Sequence, residues 1–243
     1  MRYIRSIFFD LTFALITIWF AVIGLPLGLT KKYSLLLGKA WAKTVLFALR
    51  VICGIVSKCD DIKELNSCNL ILSKHQSAWE TIFFLAELKN PAFVIKEELT
   101  RVPFYGWYLK NMGMITVKRV SSARELKRMN NGILNALKCG KNVIIFPQGT
   151  RVAADMNNFE KPFRLNCLEV FAEFSGKIAT VGINGGLFWK KGFSIKKSGL
   201  CRAKIGDIFD VKSNKYQDLS KQEINELKEK ISNSIEKTSR DLL

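Results

Sequence analysis

"NLILSKHQSAWETIFFLAEL", residues 69–88, is a short apolar run, a polar break and a longer apolar run. The first five residues have the length and composition of a buried strand, and "WETIFFLAEL" has a helical pattern. The break between them carries His75, the chain's one histidine, and Glu80 follows five residues later. Two residues five apart on a continuous helix point about 140° away from each other and would not meet. With His75 in the loop and a helix beginning at about Ser77, Glu80 in the first turn reaches back toward the ring. A carboxylate on one imidazole nitrogen fixes the tautomer, leaves the other nitrogen as a base and stabilises the imidazolium that forms. Before its neighbours are considered, a lone histidine is more often a structural residue than a catalyst.

The same alternation continues outward from this unit. "AFVIK" (92–96), "MITVK" (114–118), "NVIIF" (142–146) and "IATVGI" (178–183) read as further strands. Between them, "SSARELKRMNNGILNALKCG" opens on Ser122 and Glu125, spaced as a capping box, and ends at Gly140. Ser220 and Glu223 repeat that signature ahead of a charged tail with an apolar seam at Ile224, Leu227, Ile231 and Ile235. The order predicts an α/β fold around a mostly buried central sheet flanked by helices.

At 243 residues the chain can bury one sizeable core, and its 48% apolar composition argues against wholesale disorder. Thirty-eight Lys and Arg against twenty-one Asp and Glu give a net charge of +17, so the natural partner is negative. The six cysteines show neither a C-x-x-C pair nor zinc spacing, and they read as reduced, partly buried thiols. No metal site and no cofactor are expected.

Residues 11–30, "LTFALITIWFAVIGLPLGLT", are uncharged and long enough on paper to cross a bilayer. Pro26 is expected to end or kink the helix near residue 25, leaving about 15 straight residues or roughly 22 Å, short of the roughly 30 Å hydrocarbon core. In the following segment Lys32, Lys39, Lys43 and Arg50 fall within an arc of about 40° on an otherwise apolar helix, the pattern of a helix lying among lipid headgroups. The expectation is a membrane-associated helical pair over residues 1–57, an α/β domain over 58–210 and a charged amphipathic helix over 211–243.

Cations stand at strand and loop ends. Lys96 closes "AFVIK", Lys118 and Arg119 close "GMITVKR", and "IIFPQGTR" runs a strand into Gly149 and Arg151. Gly149 lets the backbone approach a ligand closely, and the Arg151 guanidinium can fork onto a phosphate. Together with His75 and Glu80 they describe a base facing an anion pocket.

"KHQSAWET", "GMITVKR" and "IFPQGTR", in that order, resemble the motifs of the 1-acylglycerol-3-phosphate O-acyltransferases, and the resemblance runs over roughly residues 5–210. It implies transfer of an acyl group from acyl-CoA or acyl carrier protein to the sn-2 hydroxyl of lysophosphatidic acid, giving phosphatidic acid. Carried over, His75 is the general base and Glu80 orients it. Lys96, Arg119, Gly149, Thr150 and Arg151 hold the substrate phosphate, with Ser77 and Gln148 as supporting motif positions. Glu80 stands for the family's usual aspartate, Gln148 for glutamate, Phe163 for glycine and Thr180 for proline. These departures keep open an acyltransferase for another lysolipid, or a lysolipid-binding protein of the same fold with weak or no catalysis. The expected partners are lysophosphatidic acid, an anionic phospholipid surface and the acyl donor, at the cytoplasmic face of a bacterial-type inner membrane. The basic, aromatic stretch "FWKKGFSIKKSGLCRAK" suits that surface, and nucleic acid is not expected, since there is no recognition-helix or RNP-type signature.

Overall fold

The computed structural model describes residues 1–24, 31–102, 105–118 and 122–243. Along the chain these form α1 (Arg2–Ile23), α2 (Lys31–Ala48), β1 (Ile55–Cys59), α3 (Ile62–Ser67), β2 (Leu70–Ser73), α4 (Trp79–Glu87) and β3 (Pro91–Lys96). There follow α5 (Tyr105–Asn111), β4 (Ile115–Val117), α6 (Ala123–Lys138), β5 (Asn142–Ile145), β6 (Gly176–Ile183) and α7 (Gly185–Phe188). The chain closes with β7 (Gly199–Val211), α8 (Ser213–Gln217) and α9 (Lys221–Arg240).

The described strands make a seven-stranded sheet in the order β1-β7-β6-β2-β5-β3-β4. β7 runs antiparallel to β6, and the other neighbouring pairs are parallel. Alternation along each strand divides the core into two layers. Ile71 and Ile144 point to the layer that also holds residues of α1, α2 and α4, including Phe9, Ala42, Val45, Trp79 and Phe84. Leu70, Leu72, Val143 and Ile145 point to the other, with Ile133 and Leu137 of α6 and Ile231 and Ile235 of α9. A sheet covered on both faces explains why β2 and β5 are unbroken apolar runs.

The expected strands are all present to within a few residues. β1 at the edge and the long β7 beside it are additional, because both are half-exposed, carry charged residues and lack the apolar run that marks a fully buried strand. β1 begins at Ile55, so the sheet starts ahead of residue 58. Helix signals translate directly into geometry. The Ser122 hydroxyl accepts the Glu125 N–H, Gly140 takes φ +68° after α6, and Ser220 with Glu223 closes a reciprocal box at the start of α9. α9 packs so closely on the sheet that a Cβ on Gly182 would stand 2.4 Å from the Thr238 main chain. Thr180 sits where the register of β6 on β7 slips, and its hydroxyl donates to the Asp207 carbonyl and bonds Ser234 of α9.

The N-terminal pair differs from expectation in two ways. α1 begins at Arg2 rather than near Leu11, which makes it about 33 Å long by helical rise. Its first half is docked on the domain: Phe9 is fully buried, Phe9 and Phe13 meet Trp189 edge-on, and Asp10 pairs with the buried Lys196. The cationic stripe of the second helix is also split. Lys39 donates to the Leu88 and Lys89 carbonyls at the C-terminal end of α4, and burial lowers its pKa, whereas Lys43 and Arg50 are exposed. The Lys32 side chain, the expected break at Pro26, and Arg119 lie outside the described residues.

Candidate active site

At the end of β2 the strand alternation continues for two residues. Lys74 extends the face of Leu70 and Leu72, and His75 extends the face of Ile71, toward α4. α4 starts at Trp79, two residues later than expected, so residues 74–78 form a loop that brings His75 back over the first turn. His75 Nδ1 lies 2.8 Å from Glu80 Oε1. The same oxygen accepts the Gln76 and Ser77 main-chain N–H groups, each at 2.7 Å. Glu80 is fully buried in the first turn of α4, with Oε1 facing these three nitrogens and no hydrogen-bond partner for Oε2 among the described residues. An ionised carboxylate can only accept, so with Glu80 ionised and the ring neutral Nδ1 would hold the proton and Nε2 the lone pair.

The loop is fixed from several directions. The Gln76 amide donates to the Ile183 carbonyl at 2.9 Å and accepts the Gly186 N–H at 3.1 Å, tying it to the β6–α7 turn. Ser77 Oγ accepts the Trp79 N–H, and the Trp79 indole donates to Ser57 of β1. The His75 carbonyl accepts the Val152 N–H at 2.7 Å, which sets the "PQGTR" loop directly against the histidine. The imidazole stacks on Phe146, with ring centroids 4.2 Å apart and planes 14° apart. Its side chain remains 21% exposed, so the ring is not sealed inside the core.

Phe146 is shared with a cavity of about 770 Å³ between β3, β4, β5 and α6. Its floor is apolar, with Ile95, Val117, Leu126 and Met129, and Lys96, Lys118, Gly149 and Arg164 also line it. Gly149 takes φ +68°, which a side chain would resist, and a Cβ there would meet nothing within 4 Å. The loop thus presents bare backbone to open space. Arg151 and Thr150 are half-buried, and among the described residues no acid pairs with Arg151 or Lys96.

The sequence reading placed His75, Glu80, Ser77, Lys96 and Gly149 around one site; the structure sets His75, Ser77 and Glu80 together, and Lys96 and Gly149 line the cavity that shares Phe146 with His75. It missed Gln76, Phe146 and Arg164, whose roles depend on partners remote in the chain. Gln148 is buried, and its amide donates to the Lys161 carbonyl at 3.4 Å, a bond that glutamate could not donate; it does not bond Arg151. Phe163 packs against the α6/α9 layer and anchors the same loop.

A family model described as Acyltransferase matches residues 56–184. The chain belongs to the acyltransferase family. Its matched region opens in β1 and closes one residue after β6, so it contains both the His75 loop and the Arg151 loop. The chain is 34% identical over 170 residues to the 1-acyl-sn-glycerol-3-phosphate acyltransferase of Pseudomonas aeruginosa, covering 68% of this chain and 64% of that one, so it spans less than two thirds of that relative's length. It is 29% identical over 80 residues to the lyso-ornithine lipid O-acyltransferase of Rhodobacter capsulatus, covering 33% and 28% of the two chains. The crystal structure of the 1-acyl-sn-glycerophosphate acyltransferase PlsC of Thermotoga maritima matches its fold with a TM-score of 0.74 at 22% identity, over 100% of this chain and 98% of that one.

Proposed function

We propose that the protein moves a fatty acyl group from the thioester of acyl-CoA or acyl carrier protein to the sn-2 hydroxyl of lysophosphatidic acid, yielding phosphatidic acid. The observation that carries this reading is the 2.8 Å contact of His75 Nδ1 with Glu80 Oε1, beside a cavity edged by cations. His75 Nε2 takes the hydroxyl proton as the oxygen attacks the thioester carbonyl. The tetrahedral adduct collapses by breaking the C–S bond, and the imidazolium returns the proton to the departing thiolate. Glu80 holds the imidazolium charge through that interval. A thioester is already activated, so positioning and proton removal are enough without a cofactor or a covalent enzyme intermediate.

Arg151, Lys96 and Gly149, with Thr150 and Arg119, form the proposed phosphate site. A lyso-ornithine lipid has no phosphate to engage them, and the cations favour the phosphate-bearing acceptor. Release of free CoA from acyl-CoA on adding lysophosphatidic acid tests the reading. No thiol release with either donor would end it. Arg151→Ala is expected to raise the KM for lysophosphatidic acid about 10- to 100-fold with kcat changed far less, since a phosphate contact acts in ground and transition states alike. An unchanged acceptor KM would remove Arg151 from the site.

The same reading seats the protein on the cytoplasmic face of a bacterial inner membrane, half-embedded through α1. Among the described residues, α1 is the one helix long and apolar enough to cross a bilayer by length and composition. Ile4, Ile7, Phe8, Leu11, Leu15, Ile18, Trp19 and Val22 are all more than half exposed, and they share an arc of about 120°. Phe193 is fully exposed in a lysine-rich loop held to α1 by the Lys196–Asp10 pair. Because that pair and Phe9 bind the first half of α1 to the domain, the helix meets lipid along its side. Serine at Leu15, Ile18 and Trp19 together is expected to lower partition onto anionic liposomes more than tenfold, at roughly 1.5 kcal/mol or more per apolar side chain. Undiminished co-sedimentation would show that another surface is the anchor.

A further inference from the structure

The lysine that precedes His75 is used in a way the acyl-transfer scheme leaves unassigned. Lys74 has a side chain 1% exposed, among the least accessible charges in the molecule. Its ammonium donates to the Met156 carbonyl at 2.7 Å and pairs with Glu236 of α9 at 2.9 Å. Glu236 in turn meets Arg240 at 3.3 Å and is 12% exposed. A buried ammonium persists only where charge and hydrogen bonds replace its water. Here both replacements come from segments that build or back the active site.

We propose that Lys74 is a positioning residue through which α9 holds the catalytic histidine and the Arg151 loop in one register. Three observations converge. Strand alternation sends Lys74 and His75 to opposite faces of the sheet, so fixing the lysine fixes the rotation of the adjoining peptide and with it the direction of the imidazole. The loop after Arg151 is bound twice to these neighbours, by Val152 N–H on the His75 carbonyl and by the Met156 carbonyl on Lys74. α9 is itself seated rigidly, with Thr238 against Gly182 and Ser234 bonded to Thr180 and Asp207. A displacement of α9 therefore reaches both loops through one ammonium. Misplacement of a reacting group by about 1 Å costs on the order of 10²-fold in rate.

This inference rests on the acyl-transfer reading for its kinetic arm only. The chain has one histidine, so selective ¹⁵N labelling of histidine gives a single imidazole spectrum with no assignment problem. The experiment compares the full-length protein in bicelles as wild type, Lys74→Met, Lys74→Arg and Glu236→Gln. Lys74→Met should lose or shift the Nδ1–H resonance of the His75–Glu80 bond and lower kcat about 10- to 100-fold, with donor KM within threefold. Lys74→Arg, which keeps the charge and a donor, should recover part of both. A merely structural lysine would lower the melting temperature and leave the ring resonance and the kcat of the folded fraction unchanged, and that result overturns the proposal. Should Lys74→Met fail to fold, Glu236→Gln is the deciding variant: an unmoved ring resonance overturns the proposal, and a shift in the same direction supports it. Absence of thiol release by the wild type would end the acyl-transfer reading while the resonance still decides the role of Lys74.

Discussion

His75→Ala is expected to lower kcat for acyl transfer by about 10²- to 10⁴-fold, the range for removing a well-positioned general base. The ring is at the surface end of the site, and the loop beneath it is held by other groups. Gln76 and Ser77 still donate to Glu80, Gln76 still spans Ile183 and Gly186, and the His75 carbonyl still accepts from Val152. The fold should therefore survive, with a melting temperature near that of the wild type and unchanged liposome binding. Stopped-flow or endpoint detection of free thiol, set beside circular dichroism, separates lost chemistry from lost structure. Turnover within tenfold of wild type would mean that another group takes the proton.

Glu80 should behave differently, because in the proposed mechanism one oxygen serves both structure and chemistry. Glu80→Ala removes the acceptor of two buried N–H groups, costing about 1–3 kcal/mol for each. It also frees the imidazole to turn and to adopt the wrong tautomer, which together with the lost charge is expected to lower kcat about 10³- to 10⁴-fold. Glu80→Gln separates the two effects. Its amide oxygen can still accept from Gln76 and Ser77, so stability should stay close to wild type. Without the negative charge the imidazolium is no longer stabilised, and kcat should still fall by about 10²-fold or more. Urea unfolding and thiol release on both variants test this. A Glu80→Gln enzyme as active as wild type would make the carboxylate a loop staple and nothing more.

The departures from the family's usual residues look less damaging in three dimensions than in the sequence. Gln148 supplies an amide donor to Lys161, Phe163 fills a place against the α6/α9 layer, and Thr180 occupies the slip between β6 and β7 with its hydroxyl bonded. Each has a local partner, and none of them stands between His75 and Glu80.

Local sequence determined a good deal. Apolar runs of strand length gave the central strands, cap signatures gave α6 and α9, and the five-residue gap from His75 to Glu80 required a loop before a helix. All of these are interactions between near neighbours, which short-range geometry alone controls. What the tertiary structure decided is every pairing across layers. In the sequence Lys74 is an unremarked cation until Glu236 closes over it, Lys39 belongs to a cationic stripe until the end of α4 presents its carbonyls, and Asp10 is one acid ahead of an apolar run until Lys196 meets it. The physical reason is common to the three. A charged side chain is content in water or beside a buried partner, its own residue type does not distinguish the two, and only packing of distant elements removes the water.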